Sequence, residues 1–264
     1  MNHKLTGKVA LVTGAGSGIG RATALLLAER GARIAALGLT ESRLEEVVAI
    51  IKDKQTADHA LVIQADISDY AAMETAVSQI IDKWGRLDIL FANAGINGVW
   101  APIEELDPDE WQKTIQVNLT GTFFTLKTAV PHLKKQGGSI IITASVNGTR
   151  IFSNTGATAY SATKAGQVAV AKMLALELAK HRIRVNAICP GAIETNIEEN
   201  TEKQDVAKAR EPVNYPAGRI PLTDGQPGTA EEVAELVAFL ASDAARHITG
   251  TEVWIDGAES LLQG

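Results

Sequence analysis

A single cysteine, Cys189, occurs in the 264-residue chain, so neither an intrachain disulfide nor a cysteine-rich zinc site can form. That usage fits a reducing compartment, and a cytoplasmic location is expected. Long apolar runs are missing too: nothing approaches the ~18 consecutive apolar residues of a membrane span, and no membrane partner is expected. Residues Met1 to Lys8 carry no apolar stretch or small-residue cleavage site of a secretory signal. Positive charge is scarce. With 25 Lys+Arg against 31 Asp+Glu the net charge is −6, and no basic block offsets it, which argues against nucleic acid as a partner. The five histidines, at positions 3, 59, 132, 181 and 247, show no ligand spacing, so no metal site is expected. What is present is ordinary: 45% hydrophobic and 21% charged residues, enough to bury a sizeable core and too apolar for disorder.

Short β-branched runs alternate with longer helix-patterned segments. Strands are predicted at Val9–Thr13, Ile34–Leu37, Ala60–Gln64, Leu87–Ala92, Ser139–Thr143, Arg184–Ile188 and Glu252–Ile255. Helices are predicted between them, including one over Pro108–Leu133, one over Ala157–Lys180 and one over Ala230–Ala241. The strands are continuously apolar, as burial on both faces requires. The expected fold is α/β: a doubly wound, Rossmann-type parallel sheet of about seven strands with helices on both faces. No linker or repeat interrupts residues 1–264, so a single domain is expected.

Residues 196–228 break the rhythm. A charged stretch, Glu198 to Lys203, is followed by Pro212, Pro216, Pro221 and Pro227, half of the chain's 8 prolines. Neither a long helix nor a central strand fits the second half of this segment. It reads as a substrate-binding lid loop or as a plain surface excursion.

Between the first strand and first helix lies Thr13-Gly14-Ala15-Gly16-Ser17-Gly18-Ile19-Gly20. Glycines permit close backbone approach, and the helix N-terminus aims unpaired N–H groups at an anion, for which a pyrophosphate is suited. Of three tyrosines, Tyr160 has Lys164 four residues on, the same face of a helix. A nearby cation is expected to lower the phenol's pKa towards a range useful for proton transfer. Ser145 follows the strand ending at Thr143, at the carboxyl edge where parallel sheets hold ligands. Asn118 sits inside a predicted helix although asparagine is a poor helix former.

In this order, Thr13-Gly14-x-x-x-Gly18-x-Gly20, Asn93-Ala94-Gly95, Asn118, Ser145, Tyr160-x-x-x-Lys164, Pro190-Gly191 and Asp256-Gly257 resemble the short-chain dehydrogenase/reductase family over about residues 5 to 262. The resemblance implies hydride transfer between a nicotinamide and a small-molecule alcohol or carbonyl substrate. It implies Tyr160 as general acid or base, Ser145 as donor to the substrate oxygen, and Lys164 as holder of the ribose and modulator of Tyr160. It also implies that Asn118 positions a relay water. Cofactor contacts are expected from Gly14, Ser17, Gly18, Ile19, Gly20, Leu39, Asp66, Ile67, Ala94, Gly95, Tyr160, Lys164, Pro190 and Gly191, with Ile193 and Thr195 gripping the carboxamide. Asn93 is expected to tie strands beneath the cofactor. A homotetramer is expected on resemblance alone. Within the family, 3-oxoacyl thioester reductase and sugar or polyol dehydrogenase are alternatives. A non-catalytic nucleotide sensor is the reading from another class, against which stands the full set of reactive residues.

NAD and NADP are not separated by the usual markers. Gly38 stands where NAD-type members carry Asp, and Leu39 where many NADP-type members carry Arg. Loss of the acid removes repulsion of a 2′-phosphate, and Thr40, Ser42 or Arg43 would reach one, which leans towards NADP; a helix cap and solvated first turn explain them equally. Trp100, Asn147, Ile151 and Phe152 read either as pocket lining or as loop packing. Cys189 reads as a small buried group rather than a nucleophile.

Overall fold

A computed structural model describes residues 4–55, 57–195, 201–211 and 220–263. The first half runs β1 (Val9–Thr13), α1 (Gly18–Glu29), β2 (Arg33–Gly38), α2 (Glu41–Lys54), β3 (Ala60–Gln64), α3 (Tyr70–Trp84), β4 (Ile89–Ala92) and a short β5 (Gly98–Trp100). Then come α4 (Pro108–Ile115), α5 (Gly121–Leu133), β6 (Gly138–Thr143), α6 (Thr158–Ala179), β7 (Ile183–Pro190), β8 (Thr201–Lys203), α7 (Ala230–Ala241), β9 (Glu252–Ile255) and α8 (Glu259–Gln263).

Seven strands form one parallel sheet in the order β3-β2-β1-β4-β6-β7-β9. Alternation along each strand feeds two cores. Leu11, Leu90, Ile140 and Ile142 join α3, α5 and α6 on one face; Ala10, Val12, Phe91 and Ile141 join α1, α2 and α7 on the other. The chain turns from one side of β1 to the other at β4, and the carboxyl ends of these two strands flank the crevice in which such sheets bind ligands.

Local chemistry sets the helix limits. Asp69 caps α3 by accepting from Ala72 N–H, and Gly85, in the left-handed region at φ 72°, closes it. Thr229 and Glu232 form a reciprocal capping box at the start of α7. The helix start at α1 differs: Ser17 makes no side-chain cap and the first turn carries no acid.

Two expectations need correction. The helix expected over Pro108–Leu133 is divided by a π-helical turn at Gln116–Thr120, in which Asn118 packs against Ile96 in the loop after β4. The segment 196–228 is not wholly irregular, because Thr201–Lys203 pairs in parallel with Gly98–Trp100. Asn97 Nδ2 donates to Thr201 Oγ1 at 2.7 Å and Gln204 N–H donates to the Trp100 carbonyl at 2.9 Å, which extends the pairing. Residues 196–200 and 212–219 of that expected lid lie outside the described residues.

At the amino edge of the sheet, buried Asp88 accepts from Val9 N–H at 2.9 Å and from Arg86 Nε and Nη2 at 2.8 and 2.6 Å. Asp88→Ala leaves the fully buried Val9 N–H unpaired, while the partly exposed Arg86 guanidinium turns to water, and should cost about 1–3 kcal/mol in urea denaturation. Asp88→Asn keeps an acceptor and should cost less; an alanine variant within ~0.5 kcal/mol of wild type, the range of an ordinary surface change, would contradict this role.

Candidate active site

The glycine turn is built by close approach. A Cβ on Gly20 would lie 2.1 Å from the Gly14 carbonyl oxygen, so α1 can start against the turn only with glycine there. Gly14, at φ 69°, lies against Ala94 and Asn93, and Gly18, at φ 48°, against Thr195. The uncapped amides of α1 open into a cavity of about 1220 Å³ that runs over the carboxyl ends of β1, β2, β4, β6 and β7. An uncapped helix start, a turn no side chain can fill and a cavity of this size fit a dinucleotide.

Three strand ends are tied together. Thr13 Oγ1 accepts from the Asn93 and Ala94 N–H groups at 2.9 and 3.0 Å, and Asn93 Nδ2 donates to the Thr13 carbonyl at 3.2 Å. Thr143 Oγ1 donates to Asn93 Oδ1 at 3.1 Å. Asn93 thus bridges β1 and β6 across the end of β4.

The reactive groups follow from that edge. Lys164 Nζ donates to the Thr143 carbonyl at 2.8 Å and lies 5.4 Å from the centre of the Tyr160 ring. Ser145 Oγ accepts from Asn147 N–H at 3.1 Å, and its side chain stands beside the Tyr160 phenol. All three side chains are buried against the cavity. Burial pushes the Tyr160 phenol up to about 12, against a downward pull from the Ser145 hydrogen bond. Burial also brings the Lys164 ammonium down to about 8. The expected lowering of Tyr160 by its neighbouring cation is therefore corrected: in the protein alone, desolvation of both groups outweighs their attraction.

Asn118 is fully buried. Its side chain accepts from Ile96 N–H at 2.8 Å and donates to the Ile96 carbonyl at 2.8 Å and to Thr163 Oγ1 at 3.2 Å. Its carbonyl accepts from Gln167 Nε2 and Thr122 Oγ1. With both ends engaged, Asn118 fixes the Gly95–Ile96 backbone beneath the cavity.

Every other expected site residue lines the cavity except Gly20, whose contribution is the close approach described above. Leu39, Thr40 and Arg43 line it at the end of β2, whereas Ser42 does not. Trp100, Asn147 and Ile151 also line it; Phe152 is 73% exposed and outside it. Two contributors escaped sequence reasoning. Thr143 gave no signal beyond a strand end. Buried Glu259 accepts from Ala192 N–H at 3.2 Å and packs against Gly191, where a Cβ would meet Asp256 at 2.7 Å. An acidic residue near the end of a sequence reads as solvated, so its burial could not be anticipated. Cys189 is buried with its thiol pushed up to about 12 by desolvation, which removes it as a nucleophile. Among the described residues there is no cluster of three or more His, Cys, Asp or Glu able to hold a metal, and no helix long and apolar enough to cross a membrane.

A parallel sheet with a glycine cradle at its switch point and a buried Ser-Tyr-Lys group defines a dinucleotide-binding oxidoreductase. The family model described as enoyl-(acyl carrier protein) reductase matches residues 14–258. A 3-ketoacyl-ACP reductase structure from Sinorhizobium meliloti 1021 is 57% identical with a TM-score of 0.93, covering 96% of this chain and 99% of that one. Levodione reductase of Leifsonia aquatica is 37% identical over 262 residues, 97% of this chain and 96% of its own. A 3-ketoacyl-(acyl-carrier-protein) reductase structure from Brucella melitensis, complexed with NADH, is 34% identical with a TM-score of 0.85, covering 97% of this chain and 100% of that one. The chain belongs to the short-chain dehydrogenase/reductase family. It is an oxidoreductase that uses a nicotinamide cofactor and acts on CH–OH/C=O pairs.

The lowered Lys164 has a consequence for stability. Between about pH 8 and its ordinary value of 10.5, the unfolded chain holds a proton that the folded chain has released, so this group makes stability rise with pH. Cys189 and Tyr160, both raised, act oppositely above their ordinary values of 9.0 and 10.0. Urea midpoints of wild type and Lys164→Met should therefore diverge in slope between pH 8 and 9, by roughly 1 kcal/mol per pH unit. Parallel profiles would mean that the folded ammonium is not lowered.

Proposed function

We propose that this chain interconverts a small polar alcohol and its ketone or aldehyde, with Tyr160 moving the proton while hydride passes to or from the nicotinamide. The observation that carries this reading is the buried Ser145–Tyr160–Lys164 group on the cavity that the glycine cradle opens into. When bound, the nicotinamide supplies or accepts the hydride. Tyr160 donates its phenolic proton to the substrate oxygen in reduction and takes it back in oxidation. Ser145, held by Asn147 N–H, offers its hydroxyl to the same oxygen as negative charge develops. Lys164, anchored on the Thr143 carbonyl, would hold the ribose hydroxyls of the cofactor and return a proton to Tyr160. Asn118 acts as a positioning residue under Gly95 rather than through a relay water of its own.

The proposed cofactor contacts are Gly14, Ser17, Gly18, Ile19 and Gly20 at the pyrophosphate, Leu39, Asp66 and Ile67 around the adenosine, and Asn93, Ala94 and Gly95 along its middle. Pro190, Gly191, Ile193 and Thr195 would hold the nicotinamide end, on a loop supported from behind by Glu259. NADP is the proposed form: neither Gly38 nor Leu39 at the end of β2 offers a carboxylate, and Thr40 and Arg43 line the cavity beside exposed Leu39. Residues 1–264 work as one domain, with 196–228 as the substrate lid. Exposed Phe123 on α5 and Met173 and Leu176 on α6 support assembly into a homotetramer, and the lone buried thiol suits the cytoplasm. A second reading, reduction of a 3-oxoacyl thioester, is favoured by the similarity to the two 3-ketoacyl-ACP reductases above.

Tyr160→Phe should lower turnover at least a hundredfold for any alcohol or ketone the wild type accepts, the usual scale of a lost proton-transfer group. Nicotinamide binding by fluorescence titration should stay within about threefold, less than ~1 kcal/mol. NADP should bind more tightly than NAD in the same titration. Full turnover in the phenylalanine variant would sink the assignment of the proton to Tyr160.

A further inference from the structure

Beyond the reactive group, one wall of the cavity is made by the small β5–β8 ribbon and the loop before α6. Trp100 and Lys203, opposite one another in the ribbon's register, both line the cavity, and the Lys203 ammonium sits 5.4 Å from the centre of the Trp100 ring. The ribbon is held in place by the Asn97–Thr201 hydrogen bond at its start and the Gln204–Trp100 bond at its end. Among the described residues Lys203 has no ion-pair or hydrogen-bond partner, and its neighbour Glu202 is engaged by Gln204 Nε2 at 2.8 Å. The cavity's remaining cations have other positions: Lys164 is within the reactive group, Arg43 is in the first turn of α2, and Lys113 pairs with Glu110.

The same wall carries an amide pair. Asn154 Nδ2 donates to Asn147 Oδ1 at 2.7 Å, which leaves Asn147 Nδ2 and Asn154 Oδ1 unpartnered among the described residues. Asn147 is also the residue whose N–H orients Ser145. A purely hydrocarbon substrate would strip water from these groups and from the Lys203 ammonium without replacing its hydrogen bonds. The wall favours a ligand that is polar along its length and negative at one end. One ammonium and neutral amides balance a monoanion, and among the described residues no second cation stands beside Lys203 in the cavity to match the further charge of a phosphate.

We infer that the substrate is a small hydroxy acid and its oxo acid, whose carboxylate is received by Lys203 beside Trp100. This rests on the reading of Tyr160 and Ser145 as the place where the carbonyl is handled. The acidic residues facing the cavity do not compete for this position. Asp66 lies beyond β3 at the cofactor end, Glu259 is held by Ala192 N–H, and Glu194 follows β7 on the nicotinamide loop. The balance of the reaction is unchanged: hydride and one proton are exchanged at the hydroxyl-bearing carbon and its oxygen, and the carboxylate is a handle only.

Binding of unreactive probes tests this separately from turnover. Butanoate and the near-isosteric butanamide are titrated into protein saturated with NADPH, and in parallel with NADH. Wild type should bind butanoate about tenfold more tightly than butanamide, and the ratio should shrink as salt is raised. Lys203→Met should bring the ratio close to one, Lys203→Arg should keep it, and Lys203→Glu should reverse it. Damage to the ribbon alone would weaken both probes together and leave the ratio intact. A wild-type ratio of one, or a ratio that Lys203→Met leaves unchanged, overturns the inference. A third arm compares 3-oxobutanoyl-pantetheine with its 4′-phosphate. If Lys203 discriminates these two and not the butanoate pair, the anion is a carrier phosphate and the hydroxy acid assignment falls. Absence of turnover with every alcohol and ketone would count against the Tyr160 reading while leaving the binding ratio to stand or fall by itself.

Discussion

Asn93 holds the carboxyl ends of β1, β4 and β6 at one level, and the site depends on that tie. Its amide and backbone are bonded to Thr13, next to the glycine turn, and its carbonyl oxygen receives the hydroxyl of Thr143. The Thr143 main-chain carbonyl in turn receives Lys164, which stands over the Tyr160 ring. A continuous path of short contacts therefore joins the phosphate cradle to the proton-transfer group. The ends of three adjacent parallel strands supply both the glycine turn and the Tyr160–Lys164 pair.

The large elements were legible because their physical signals are local. Short apolar runs bounded by turn residues fit strands of a covered parallel sheet, and β1, β3 and β9 fall where those runs predict, with the edge strands β3 and β9 only partly buried. Gly14, Gly18 and Gly20 could be read as a cradle because each removes a specific obstruction, most severely the 2.1 Å approach at Gly20. The β5–β8 ribbon was not legible. Its strands have three residues each, one is Thr-Glu-Lys, and they pair across about a hundred residues of sequence, so no local pattern marks them. The π-helical turn at Gln116–Thr120 was hidden for a related reason: a helix-compatible sequence does not reveal a widened turn, and asparagine at 118 was the sole hint.

The largest difference concerns the charge balance at Tyr160 and Lys164. Spacing on a helix places a phenol and an ammonium together, and in water their attraction would lower the phenol. Burial reverses the outcome, since both groups leave solvent and each disfavours its charged form. The result is a site that keeps its proton on the phenol and holds its lysine close to release. A phenol that keeps its proton is what the proposed reductive direction asks of Tyr160.

The central claim is that burial makes Tyr160 a proton-holding acid in the cofactor-free protein. With only three tyrosines in the chain, the 13Cζ resonance of Tyr160 can be assigned by its loss in Tyr160→Phe and followed against pH. The account predicts that this resonance stays at the phenol position through pH 10, consistent with a phenol pushed up to about 12. Ionisation complete below pH 10 would contradict it, and would mean that Lys164 rather than desolvation governs the tyrosine.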